Sequence, residues 1–260
     1  MCYVIINHTI ILVFTEVRMD PNVKVVFFDL GGTLRLCHSY PSHEAKAKKK
    51  LAELSGLEMT PAELFDLIEL RYKDYRKEIF ATNREANDFT LWNKWLLPEM
   101  DPDHLMDVRH EMSFWYRQCA GLRCMTEGAL EVLQILHSRG YTLGIISNLI
   151  GETEIANFVK DCCLDRYFDD IVVSSVCGYR KPDPIMYTYA CERLGVKPEN
   201  CVSVADNLDR DITGAKAAGI YKNVLFISKE KLAKKTITDE NRPDYIIHDM
   251  VDLLNLPLFD

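Results

Sequence analysis

Apolar residues follow two rhythms along this chain. At Val23–Asp29 (VKVVFFD) they run on without a break, end at an acid and stop at Gly31-Gly32. A run this short and this rich in β-branched residues predicts a strand buried on both faces. Similar runs recur at Thr142–Ser147, Ile171–Ser174, Cys201–Asp206 and Asn223–Ile227, with a shorter one at Tyr245–Ile247. Between them apolar positions repeat every three or four residues. That spacing predicts helices over Glu127–Arg139, Thr153–Cys162, Pro184–Leu194 and Leu208–Ala218. Strands alternating with such helices predict an α/β fold, a Rossmann-like three-layer core with a parallel sheet. In such sheets the working residues sit just past the carboxyl ends of the strands.

Residues 37–121 break this alternation. They hold no β-rich run, and helical spacing covers Ser42–Leu54, Pro61–Phe80, Phe89–Leu96 and Asp103–Cys119. Thr60 is a good N-cap, with Pro61 at the first helical position and Glu63 in the first turn. The expected organisation is therefore an N-terminal extension (1–22), a discontinuous core (23–36 and 122–260) and an inserted all-helical cap domain (37–121). The insert follows the turn after the first strand, so it is placed to cover the strand ends. The extension holds an apolar stretch, Tyr3–Phe14, interrupted by Asn7, His8 and Thr9. It is too short to span a bilayer, has no cation before Arg18 to start a signal peptide, and reads either as an added strand or as sequence ahead of a second start at Met19.

Composition narrows the function. The chain has 260 residues, 48% hydrophobic and 27% charged, which is the balance of a globular protein. Its 39 acidic against 31 basic residues give a net charge of -8, which argues against a nucleic-acid or anionic-membrane binder. Cations that hold an anionic substrate must then be local. The nine cysteines form no CxxC pair, so a structural zinc site is not expected. They read as reduced thiols in a cytoplasmic protein, Cys201 among them a core filler.

Four segments stand at or beside strand ends: Asp29-Leu-Gly-Gly-Thr33, Ser147-Asn148, Arg180-Lys181-Pro182 and Asp206-Asn-Leu-Asp-Arg-Asp211. The topology brings their acids, amine, hydroxyl and amide to one sheet edge. Crowded carboxylates repel, and a cation relieves them. Oxygen-rich clusters of this kind suit Mg2+, which also binds phosphate oxygens.

In FFDLGGTL (27–34), IISN (145–148), GYRKPDPIMY (178–187) and VADNLDRDITGAKAAG (204–219) the chain resembles the haloacid dehalogenase superfamily of hydrolases, in its phosphatase branch with a helical cap. The resemblance spans roughly residues 23–254. It implies a phosphatase in which Asp29 is the nucleophile and forms an aspartyl-phosphate. It further implies a metal held by Asp29, the carbonyl of Gly31 and Asp206, with Asp211 supporting the metal or anchoring Lys181. Ser147 and Asn148 would bind phosphoryl oxygens, Lys181 would neutralise charge, and backbone N–H groups of the turn at Gly31, Gly32 and Thr33 would cradle the anion. The substrate would be a small phosphorylated metabolite.

One departure stands out. Most phosphatases of the group carry a second acid where this chain has Gly31, and that acid is the general acid/base. Such help is typically worth about 10²–10⁴-fold. Leaving groups of low pKa should suffer least from its loss. His38 or a residue of the cap is the candidate substitute. Two other readings stay open: a phosphate-binding or regulatory protein that has lost turnover, and a 2-haloacid dehalogenase, which needs no proton donor but also no acid at Asp206. The basic run Arg71–Lys77 reads as a solvated helix face, and Trp92 and Trp95, three apart, as cap core.

Overall fold

In the computed structural model, the described residues are 22–259 and the backbone of two N-terminal strands, Cys2–Ile6 (β1) and Thr9–Val13 (β2), which pair antiparallel. The apolar stretch expected to add one strand thus holds a two-stranded sheet, and the rest of the extension lies outside the described residues.

The chain then enters β3 (Val25–Phe28), and all four of its side chains are buried. Val26 and Phe28 join one apolar cluster and Val25 and Phe27 another, so the strand feeds a core on each face of the sheet. Past β3 the chain forms β4 (Arg35–His38), which pairs antiparallel with β5 (Leu122–Met125). The expectation of no strand in 37–121 fails here, because Cys37 and His38 belong to this ribbon. Four residues with mixed exposure carry too little alternation to announce a strand; the pairing with distant residues makes it.

Beyond the ribbon lie α1 (Pro41–Ser55), α2 (Pro61–Thr82), α3 (Asp88–Thr90, continuing as a wider turn over Leu91–Leu96) and α4 (Pro102–Gln118). The start of α2 is locked as its sequence predicts. Thr60 Oγ1 accepts from the Glu63 N–H at 3.3 Å and the Glu63 carboxylate accepts from the Thr60 N–H at 2.9 Å. Leu64, Ile68, Tyr75 and Ile79 of α2 pack with Trp92, Leu96 and Met112 in a core separate from those of the sheet. Trp92 is fully buried and donates to Ser113 Oγ at 2.9 Å, while Trp95 packs alongside, both as core.

The remaining strands are β6 (Thr142–Ser147), β7 (Asp170–Val173), β8 (Cys201–Ala205), β9 (Lys222–Phe226) and β10 (Tyr245–Ile247), alternating with helices that include α5 (Ala129–Ser138), α6 (Glu154–Asp161), α7 (Ser174–Cys177) and α8 (Ile185–Leu194). The sheet runs β10-β9-β8-β3-β6-β7 and every pair in it is parallel. Chain order therefore reverses beside β3. Strands after it go first to one side (β6, β7) and then to the other (β8, β9, β10). That reversal opens a crevice at the carboxyl ends of β3, β6 and β8. Cys201 is fully buried at the start of β8, as a core filler should be, and the cysteines among the described residues are unbridged.

Candidate active site

Asp29 is the first residue past β3, only 5% exposed, and its N–H donates to the Val204 carbonyl at 2.9 Å. The sheet thus fixes its backbone from the β8 side. Its Oδ1 accepts from Lys181 Nζ at 2.7 Å and its Oδ2 from Thr33 Oγ1 at 3.3 Å. The same Lys181 amine reaches Asp211 Oδ1 at 2.5 Å and the Ile146 carbonyl at 2.8 Å. Asp206 follows β8 and stays 30% exposed. Asn207, not Asp206, caps the following turn, its side chain accepting from the Arg210 N–H. That leaves the Asp206 carboxylate out of the cap, with Oδ1 shared, among the described residues, only with Arg210.

Arg210 closes the cluster from the solvent side. Its Nη2 lies 3.2 Å from Asp206 and 2.8 Å from Asp211. Sequence reasoning passed over this residue, although the four-residue step from Asp206 to Arg210 was a readable sign. Three carboxylates thus face two cations. Burial pushes the Asp29 carboxyl above its usual range against the pull of Lys181. Burial, then the charges of Asp29 and Asp211, push Asp206 up to about 6. At Asp211 burial is outweighed by Lys181 and Arg210, and the carboxyl is held below its usual range.

The excess negative charge is a property of a site that takes a further cation. Carboxylate oxygens of Asp29, Asp206 and Asp211 lie within 4.8 Å of one another, and all are hard oxygen donors. Gly32 lets them gather: a Cβ there would meet Asp206 Oδ2 at 2.2 Å, and its φ is +89°. The residues present fit Mg2+.

The expected phosphate-binding groups divide. Ser147 is buried at the end of β6, and its hydroxyl makes no hydrogen bond among the described residues. Asn148 is occupied differently: its amide accepts from the Lys181 N–H and donates to the Lys181 carbonyl, both at 2.8 Å. It clamps the loop that carries Lys181. The N–H groups of Gly32 and Thr33 are also taken, by the Arg35 carbonyl at 2.8 Å and the Leu30 carbonyl at 3.3 Å. A tight turn has to bond its own amides, and these two are spent that way. Those of Leu30 and Gly31 take no part in the turn bonds.

A cavity of about 500 Å³ lies between α2 and this edge of the sheet. Lys181, Asn148 and Arg210 line it from the core side, Tyr72, Arg76, Ile79 and Phe80 from α2. His38 is exposed in β4, paired across the ribbon with Leu122, and among the described residues no hydrogen bond ties it to the Asp29 cluster. Gly31 is exposed, and a Cβ there would meet nothing within 4 Å. The missing acid leaves a gap and not a replacement.

A second group of residues went unread in the sequence. Glu85, 5% exposed, accepts from Tyr75 and Arg180 through short bonds and from Ser174 Oγ at 3.0 Å. Its N–H donates to the Gly178 carbonyl and the Arg180 N–H to the Asn83 carbonyl, each at 3.0 Å. The strap after α2 is thus tied to the loop before Lys181. A second tie joins Asp88 to Glu152, each backbone N–H donating to the other's carboxylate at 3.1 Å.

Comparison with known proteins bears directly on this arrangement. A family model for hydrolases, the haloacid dehalogenase-like hydrolases, matches residues 23–219. A glyceraldehyde 3-phosphate phosphatase of Methanothermobacter thermautotrophicus is 27% identical over 89% of this chain and 98% of its own. A phosphoglycolate phosphatase of Neisseria meningitidis is 30% identical over 89% of this chain and 92% of its own. Among solved structures, a 2-haloacid dehalogenase from Pseudomonas syringae shares the fold at a TM-score of 0.63, with 23% identity over 90% of this chain and 97% of its own. Among the described residues no helix is long and apolar enough to cross a membrane.

Proposed function

The chain belongs to the haloacid dehalogenase-like hydrolases and is a phosphatase of that family, and we propose that it hydrolyses small phosphate monoesters with Mg2+ through a covalent intermediate on Asp29. The observation that carries this reading is the Asp29–Lys181–Asp211–Asp206 cluster at the point where strand order reverses.

Asp29 attacks phosphorus with a carboxylate oxygen. The bond from phosphorus to the leaving oxygen breaks, and the leaving group departs with the electron pair. Water then attacks the same phosphorus, the bond to Asp29 breaks, and phosphate leaves. Asp29, the Gly31 carbonyl and Asp206 would hold a Mg2+ ion, which would supply positive charge against the phosphoryl oxygens. Lys181, fixed by Asp211, Ile146 and the Asn148 clamp on its backbone, sets a second positive charge beside the nucleophile. Ser147 donates to a phosphoryl oxygen, and the N–H groups of Leu30 and Gly31 complete the cradle in place of those of Gly32 and Thr33. Asn148 acts through the Lys181 loop. The unbridged thiols suit a reducing compartment such as the cytoplasm.

No carboxyl stands at position 31 to protonate the leaving oxygen. Leaving groups of low pKa are therefore the preferred ones. Asp206 is the feature that argues against dehalogenation, since a halide departs without a metal. Phosphate release from p-nitrophenyl phosphate, with Mg2+ and with a chelator, tests the reading. Release that requires the metal is expected. No release by the native protein would sink it.

A further inference from the structure

Helix α2 turns two stripes to the protein. Leu64, Ile68, Tyr75 and Ile79 face the helical core, while Tyr72, Arg76 and Phe80, four apart, face the cavity over the active site. The basic run expected to be a solvated face is exposed at Lys73, Arg76 and Lys77, and Arg76 also borders the cavity. Arg71 pairs with Glu99 at 2.5 Å and Lys77 with Asp74 at 2.7 Å, while Arg76 lines the cavity.

The other cations of the cavity have carboxylate partners: Arg180 has Glu85, Lys181 has Asp29 and Asp211, Arg210 has Asp206 and Asp211. Arg76 has no hydrogen bond and no ion pair among the described residues. Its guanidinium lies 5.4 Å from the centroid of Phe80, a ring 65% exposed. The one acid of the cavity wall beyond the catalytic cluster, Asp209, accepts from Asn241 at 3.0 Å on the core side. Arg76 and Arg210 are also close enough to add to the burial that holds Arg180 below its usual range. Among the described residues Arg76 is the cation of this group left without an anion of its own, and a bound anion turns its repulsion by the neighbouring cations into attraction.

We propose that the site takes phosphate monoesters carrying a second anionic group, a carboxylate or a second phosphoryl, and that Arg76 binds that group. This rests on the phosphatase reading above. The phosphoryl end occupies the Asp29 edge. The second anion reaches across the cavity to α2, and Tyr72 and Phe80 flank the organic body between them.

The test compares kcat/KM for 2-phosphoglycolate, 1,3-propanediol bisphosphate and 2-hydroxyethyl phosphate, whose organic end is uncharged. The native protein should favour one of the doubly anionic esters over 2-hydroxyethyl phosphate by about tenfold, the order expected of a charge-assisted hydrogen bond at a half-open site. Which of the two is favoured identifies the second anion. Arg76→Ala should erase the preference, mainly through KM, and Arg76→Lys should keep part of it. Arg71→Ala, whose charge is engaged away from the cavity, should keep all of it. A native protein that hydrolyses all three esters equally, or a preference that survives Arg76→Ala, overturns the inference and leaves the phosphatase reading intact. No turnover of any of the three overturns the inference, and p-nitrophenyl phosphate in the same assay then decides the phosphatase reading: release from it keeps that reading, and no release overturns both.

Discussion

Arg180 and Lys181 are neighbours in the chain and neutralise buried carboxylates in two different settings. Arg180 turns to Glu85, which also accepts from Tyr75 and Ser174, so one acid meets a full set of donors. Lys181 turns to Asp29 and Asp211, which share it while Asp206 waits nearby. The first cluster is balanced; the second carries one carboxylate more than it has cations. A balanced buried pair ties two parts of a protein together and is destabilising only when broken. An unbalanced one holds unfavourable charge in place, which is costly for folding and useful for binding a cation.

That contrast can be broken in several ways. The largest effect is expected from Asp29→Asn, which should lower phosphate release by at least about a thousandfold because the nucleophile is gone. The melting temperature should hold or rise, since the change relieves the crowded carboxylates. A large fall in melting temperature would mean that the cluster is a structural pair after all. Next comes Gly31→Asp, for which the structure has room. It should raise turnover of alkyl phosphates by about 10²-fold or more while changing aryl phosphates little, as a restored general acid would. Equal gains on both, or none, would show that proton transfer is not what limits the native site.

Glu85→Gln should act in the opposite sense to Asp29→Asn. Loss of the charge partner of a mostly buried guanidinium should cost about 2–3 kcal/mol, or a fall of roughly 5–10 °C in melting temperature, with the chemistry retained. Inactivation without destabilisation would erase the distinction between the two clusters. The smallest effect concerns pH. Burial and the charges of Asp29 and Asp211 push the Asp206 carboxyl up to about 6 from its ordinary 3.8, so below that pH it holds a proton where the proposed metal would bind. The Mg2+ concentration for half-maximal activity should rise by up to about tenfold per pH unit below 6 and level off above it. An Asp206→Asn variant should lose that slope.

The sheet was legible because β3, β6 and β8 are continuous apolar runs, whose burial on both faces leaves no other pattern. Asp29, Lys181, Asp206 and Asp211 were legible because each follows such a run or stands in a short motif. The uses of Asn148, Gly32 and Thr33 were not. Their residue types permit phosphate binding, but the backbone groups that compete for their hydrogen bonds are set by loop geometry. Glu85 and the strap around it left no trace, since Asn83–Ala86 has no periodicity and its partners lie far along the chain. Arg76 was hidden by its own company: four cations in seven residues look alike until the helix turns them in different directions.

The ribbon of β4 and β5 has a last consequence. His38 and Leu122 are paired across it, so the chain leaves for the helices and returns at the same place. Gly121 makes that return possible, at a φ of +126° where a Cβ would lie 2.2 Å from the His38 carbonyl. The helical segment is therefore a cassette with a single doorway. It can be exchanged for another, or cut back to a tight turn, without redrawing the sheet, and selection can rewrite what the enzyme recognises while leaving untouched how it cuts.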